Sequence, residues 1–259
     1  DAAAAAGAQV ADSAEAAAQG AEMVITMLPS GSHVLDVYFD TGRVARAAVP
    51  GALLIDCSTI AVEDARQAHR MAREAGFAML DAPVSGGVAA AQAGSLTFMV
   101  GGEAVDFARA EPVLATMGAN VFHAGGAGNG QAAKIANNML LGVSMIATCE
   151  AFNLAEKLGL DAQTFFDISS KASGQCWSMT SYCPAPGPVP TAPSNRDYQP
   201  GFSVAMMLKD LKLALGAAEG TAADADFGKA AEQAYQALAD AGHGARDFSI
   251  PMLKLKGEL

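Results

Sequence analysis

The sequence predicts a doubly wound α/β domain over residues 1–130, joined by one long helix to an all-helical domain over residues 131–259. Three observations carry this reading. Short apolar runs alternate with helix-like stretches through the first half, as strands separated by helices do. From Gln131 to Leu158 there is no Pro, and Gly142 alone interrupts the helical composition. Beyond it helical patterning continues, apart from a loop rich in Pro, Ser and Asn from Cys183 to Gly201.

Each element has its own signal. Asp12-Ser13-Ala14-Glu15 reads as a capping box opening a short helix. Glu22–Leu28 is a buried strand stopped by Pro29-Ser30-Gly31, and a helix starts near Ser32. Ala52–Cys57 is the next strand. Ser58-Thr59 is placed to cap the helix holding Glu63–Glu74, and Gly76 ends it. Phe77–Leu80 and Leu96–Val100 are further strands, Glu103–Met117 is a helix interrupted at Pro112, and Asn120–His123 is a last strand.

Composition narrows the function. With 51% hydrophobic and 17% charged residues, the chain can fill a core rather than remain disordered. Its 16 basic residues against 27 acidic ones leave a net charge of −11, which opposes nucleic-acid or anionic-membrane partners. The longest apolar stretch, Met139–Thr148, is interrupted by Gly142 and Ser144 and is shorter than the ~18 residues of a bilayer span, so no membrane partner is expected. Cys57, Cys149, Cys176 and Cys183 have no zinc-like spacing, and the four histidines have no partner at i+4. Neither a metal site nor a disulfide framework is expected, and reduced thiols fit a cytoplasmic protein. The Ala-rich opening lacks the basic region of a targeting segment.

Three motifs bring chemistry-bearing groups together. Asp81-Ala82-Pro83-Val84-Ser85-Gly86-Gly87 is a strand end opening into a Gly-rich turn, which is either an ordinary turn or a place where main-chain N–H groups approach an anion. Gly125, Gly128 and Gly130 precede the long helix, on which Lys134 and Asn138 stand at i and i+4 and project from one face. An ammonium beside an amide near a Gly-rich mouth suits proton transfer and the orientation of a carboxylate or hydroxyl, or is a solvated helix end. Lys209-Asp210-Leu211 lies in an apolar helix, where Lys209 must snorkel or meet a partner such as Asp210.

Together with Ile25–Pro29 and Leu54–Ile60, these motifs resemble the β-hydroxyacid dehydrogenase family over essentially the whole sequence. The resemblance implies a Rossmann-like α/β domain followed by a helical substrate and dimerisation domain. It implies Lys134 as the catalytic residue, Ser85, Gly86, Gly87 and Asn138 as substrate-binding, and Leu28, Pro29, Thr59 and Lys209 as lining NAD. The implied reaction is oxidation of a small-molecule 3-hydroxyacid. Cys176-Trp177-Ser178 and Pro193-Ser194-Asn195 favour 3-hydroxyisobutyrate, a step of valine breakdown that yields methylmalonate semialdehyde. A sibling reductase of tartronate or succinate semialdehyde, or a non-catalytic scaffold, are the alternatives. A homodimer or homotetramer is expected. Two departures stand out. His33 occupies a place where the family often has Asn, and no Gly-x-Gly-x-x-Gly turn follows a strand near the start. The 259 residues are therefore expected to begin partway into an N-terminally truncated Rossmann-like domain, and to bind NAD poorly or not at all by themselves.

Overall fold

The computed structural model describes residues 2–259. Residues up to Lys134 form one unit and residues from Ile135 a second.

In the first unit, α1 (Ala2–Ala5) and α2 (Ala14–Ala18) lead to β1 (Met23–Thr26). Ser13, not Asp12, is the cap of α2, its hydroxyl accepting from Ala16 N–H at 3.0 Å. Next come α3 (Gly31–Phe39), the short α4 (Val44–Ala47), β2 (Leu53–Asp56), α5 (Val62–Glu74) and β3 (Ala78–Asp81). Then follow β4 (Val84–Ser85), α6 (Gly87–Gln92), β5 (Leu96–Gly101), α7 (Ala104–Leu114) and β6 (Gly118–Gly125). Helix α7 ends three residues before the expected Met117, and α4, β4 and α6 are additions to the sequence reading.

The sheet is mixed and Rossmann-like. β1, β2 and β3 run parallel, β5 is antiparallel to β3 and β4, and β6 is parallel to β5. Alternation along the buried strands explains why helices cover both faces. Leu54 and Met79 pack with Val34, Tyr38, Ala65 and Ala68 on one side. Leu53, Ile55 and Leu80 pack with Phe98, Val100 and Leu114 on the other. A parallel strand buried on both faces reads as a continuous apolar run, as Leu53-Leu54-Ile55 does. Burying each such side chain fully contributes about 1.5–3 kcal/mol.

α8 (Asn129–Lys157) continues from the first unit into the second. Among the described helices it alone has the length and apolar composition to cross a bilayer, yet its Met145, Cys149 and Phe152 lie in a protein core. That core also contains Met207, Leu211, Tyr235 and Phe248. It is built with α9 (Ala162–Ser169), α10 (Trp177–Thr180), α11 (Val204–Thr221), α12 (Asp226–Leu238) and α13 (Pro251–Lys256). The Pro-rich loop contains one 3-10 turn, Pro193–Arg196.

Candidate active site

The register Thr26↔Asp56 sets the loops after β1 and β2 side by side at the carboxyl ends of parallel strands, where open α/β sheets bind ligands. Buried polar groups tie these loops together. Asp56 Oδ1 lies 2.8 Å from Thr26 Oγ1 and accepts from the Ser58 hydroxyl at 2.6 Å. Ser58 Oγ in turn accepts from Leu28 N–H at 2.7 Å. Ser58-Thr59 does not cap α5: Ala61, which has no polar side chain, occupies the cap position, and the Ser58 hydroxyl is committed to Asp56 and Leu28. Asp56 Oδ2 is buried without a hydrogen-bond partner among the described residues. Burial raises the Asp56 pKa, an effect that the bonds from Ser58 and Thr26 oppose. Burial also pushes the neighbouring Cys57 thiol up to about 12, the Asp56 charge adding to the effect. Above this layer Leu28 and Thr59 are half-buried and Pro29 is exposed.

Asp81, at the end of β3, organises the next two motifs. Its carboxylate accepts from Gly128 N–H (2.8 Å), Gln131 N–H (2.9 Å) and His69 Nε2 (2.9 Å). The N-terminus of α8 is thus satisfied from inside the protein, as a buried helix start must be. A Cβ on Gly130 would collide with the Asp81 and Met99 carbonyl oxygens, so this glycine permits close packing of α8 on the sheet. Two N–H groups at this helix start, those of Gly128 and Gln131, are taken by Asp81. Gln131, fully buried, donates from Nε2 to the Ser58 carbonyl at 2.7 Å and accepts from Ile60 N–H at 3.1 Å.

On the other side of Asp81 the chain runs along β5, with Ser85 paired to Thr97. Gly86 (φ 132°) and Gly87 (φ 67°) then turn it into α6, in conformations that glycine adopts readily. Ser85 is half-buried and both glycines are exposed. Lys134, in the second turn of α8, is 6% exposed. His33 is exposed at the start of α3, its Nδ1 2.7 Å from Ser30 Oγ.

In the second unit Asn138 is 2% exposed and oriented from both ends of its amide. Nδ2 donates to Asp210 Oδ2 at 2.6 Å, and Oδ1 accepts from Asn137 at 3.0 Å. Lys209 reaches outward, its side chain 40% exposed, with Nζ 4.0 Å from Asp210 Oδ1. Asp210 thus serves both neighbours, bonding Asn138 more closely than it pairs with Lys209. Trp177 is half-exposed and stacks on Tyr182 at 5.1 Å, and Tyr182 donates to Asp247 at 2.8 Å.

Sequence reasoning missed Asp56, Asp81 and Gln131, and read Asp210 only as a neutraliser of Lys209. For the two strand-end acids a signal existed: Leu-Ile-Asp and Met-Leu-Asp each place a carboxylate at the carboxyl end of a fully apolar strand. Gln131 carried none.

Two family models account for nearly all of the chain. The NAD-binding domain of 6-phosphogluconate dehydrogenase matches residues 1–126, and the NAD-binding domain of NADP-dependent 3-hydroxyisobutyrate dehydrogenase matches residues 128–255. A probable 3-hydroxyisobutyrate dehydrogenase of Mycobacterium tuberculosis is 52% identical over 254 residues, 98% of this chain and 85% of the relative. An NAD-dependent L-serine dehydrogenase of Pseudomonas aeruginosa is 48% identical, over 95% of this chain and 83% of the relative. The solved structure of a Mycobacterium tuberculosis 3-hydroxyisobutyrate dehydrogenase with L-serine matches with a TM-score of 0.92 at 50% identity, covering 98% of this chain and 86% of that one. The chain accordingly belongs to the β-hydroxyacid dehydrogenase family, a family of NAD(P)-binding oxidoreductases.

Proposed function

We propose that the protein oxidises a short 3-hydroxyacid with NAD, 3-hydroxyisobutyrate in the first instance, giving methylmalonate semialdehyde. The observation that carries this is Lys134, a buried lysine one helical turn before the oriented amide of Asn138. A bound nicotinamide would supply the hydride acceptor for the carbinol carbon. Lys134 Nζ takes the hydroxyl proton as an amine during oxidation, and returns it as an ammonium in the reverse direction. Ser85, the N–H groups of Gly86 and Gly87, and the Asn138 amide hold the acid's carboxylate. Leu28, Pro29 and Thr59 would line the cofactor, and Lys209 would add a positive charge for it. Residues 1–130 would then serve as the dinucleotide-binding domain, and residues 131–259 as the substrate and dimerisation domain of a homodimer or homotetramer. Four unbridged cysteines support a reducing, cytoplasmic setting.

L-Serine is the second substrate to weigh, because it is also a 3-hydroxyacid and a relative at 48% identity is named for it. The test is the absorbance of reduced nicotinamide with a panel of 3-hydroxyisobutyrate, L-serine, and the alcohols of tartronate and succinate semialdehydes. The highest kcat/KM is expected with 3-hydroxyisobutyrate. Preference for L-serine or a semialdehyde pair would replace the substrate, and no turnover with any of them would favour a scaffold.

A further inference from the structure

We infer that Gln131 is a positioning residue that locks the start of the lysine-bearing helix to the loop facing the cofactor. Every polar group of this fully buried residue that reaches outside its helix is committed. Its side chain spans Ser58 O and Ile60 N–H, the two residues flanking Thr59, and its backbone N–H is held by Asp81. From Ser58 the bonding continues to Leu28 N–H through the Ser58 hydroxyl. The loops carrying Leu28 and Thr59 and the first turn of α8 are therefore one hydrogen-bonded body, with Lys134 three residues beyond Gln131. A buried amide that satisfies both a donor and an acceptor fixes two elements in one relative placement, since any slip leaves buried polar groups unpaired. Misplacing a reacting group by about 1 Å costs roughly 10²-fold in rate. Gln131 touches neither substrate nor cofactor in this assignment, so its action is through Thr59 and Lys134.

The inference rests on the proposed role of Lys134, and the experiment separates the two. Gln131→Met keeps side-chain length and removes both side-chain bonds, whereas Gln131→Glu keeps an acceptor for Ile60 N–H and loses the donor to Ser58 O. For folded Gln131→Met, kcat is expected to fall roughly 10²-fold with the KM for the hydroxyacid unchanged. Calorimetry should show NAD binding weakened about 5–10-fold, the scale of one lost hydrogen bond. A folded Gln131→Met with wild-type kcat and NAD affinity overturns the inference, even where Lys134→Ala is inactive and the catalytic assignment stands. Should Lys134→Ala remain active, that assignment fails, and NAD affinity alone decides whether Gln131 holds the Thr59 loop. If Gln131→Met does not fold, Gln131→Glu is read in the same way. Failure of both to fold also overturns the inference, leaving Gln131 a purely structural residue.

Discussion

At Asn138 the amide donates to Asp210 and accepts from Asn137, so its orientation is set by the protein and not left to the substrate. Replacing it has two consequences for that reason. Asn138→Ala should raise the KM for the hydroxyacid and also lower stability by about 1.5–3 kcal/mol, the range for a hydrogen bond to a charged group. Urea unfolding alongside initial rates measures both. A KM effect with unchanged stability would mean that the Asp210 bond contributes nothing. Lys134 behaves differently, because alanine is the best helix former and the site is inside α8. Lys134→Ala should keep the fold and lower turnover by about 10²–10⁴, the scale of a positioned proton donor or acceptor. Retention of more than about a tenth of wild-type turnover would remove Lys134 from the chemistry.

At the scale of elements, the start of α8 is where sheet and helix meet most tightly. Gly101 and Gly130 lie against Asp81, and the Gly130 position is closed by the Asp81 and Met99 carbonyl oxygens. Backbone atoms cannot rotate away as a flexible side chain can. Gly130→Ala must therefore displace α8 from β3 and β5, at a cost of about 1–3 kcal/mol for overpacking a filled site. Because Gln131 and Lys134 follow within one turn, turnover of the folded variant should fall as well. Thermal unfolding and kcat measured together test this, and a stable, fully active Gly130→Ala would mean that the helix start is more tolerant than its packing implies. Gly86 plays a different part. Its positive φ lets the chain leave β4 directly into α6, presenting Ser85 and two exposed glycines at the sheet's end.

For the molecule as a whole, Asp56 is a source of pH dependence. Burial holds its folded pKa above the ordinary carboxylate value, which is about 4 in an unfolded chain. An acid shifted upward contributes stability that is fully present below the unfolded pKa and is lost as pH rises through the folded one. Asp56→Asn removes that titration while keeping an oxygen for Thr26 and Ser58. The melting temperature of the variant relative to wild type should therefore rise as pH increases from about 4 towards neutrality. A difference that stays constant across that range would show that Asp56 ionises as freely in the fold as in the unfolded chain.

Local pattern alone determined the alternation of strands and helices, the length of the long helix, and the i, i+4 spacing of Lys134 and Asn138 along it, since each depends on periodicity within a few turns of chain. Leu53-Leu54-Ile55 could be read as a two-faced strand because continuous apolar residues need cover on both sides. The short α4, β4 and α6 were not legible: at two to six residues they carry too little periodicity to register. Nor were the hydrogen-bond partners of the site. Asp81 meets Gln131 across 50 residues, and Gln131 meets Ser58 across 73, separations that leave no local trace in sequence. Only tertiary structure decided that the Ser58 hydroxyl serves Asp56 and Leu28 instead of capping a helix, and that the Gly128 N–H before α8 is bonded to the Asp81 carboxylate. Both outcomes have one physical cause. Buried polar groups must find partners, and which partner is within reach depends on how distant strands are registered, not on the residues beside them.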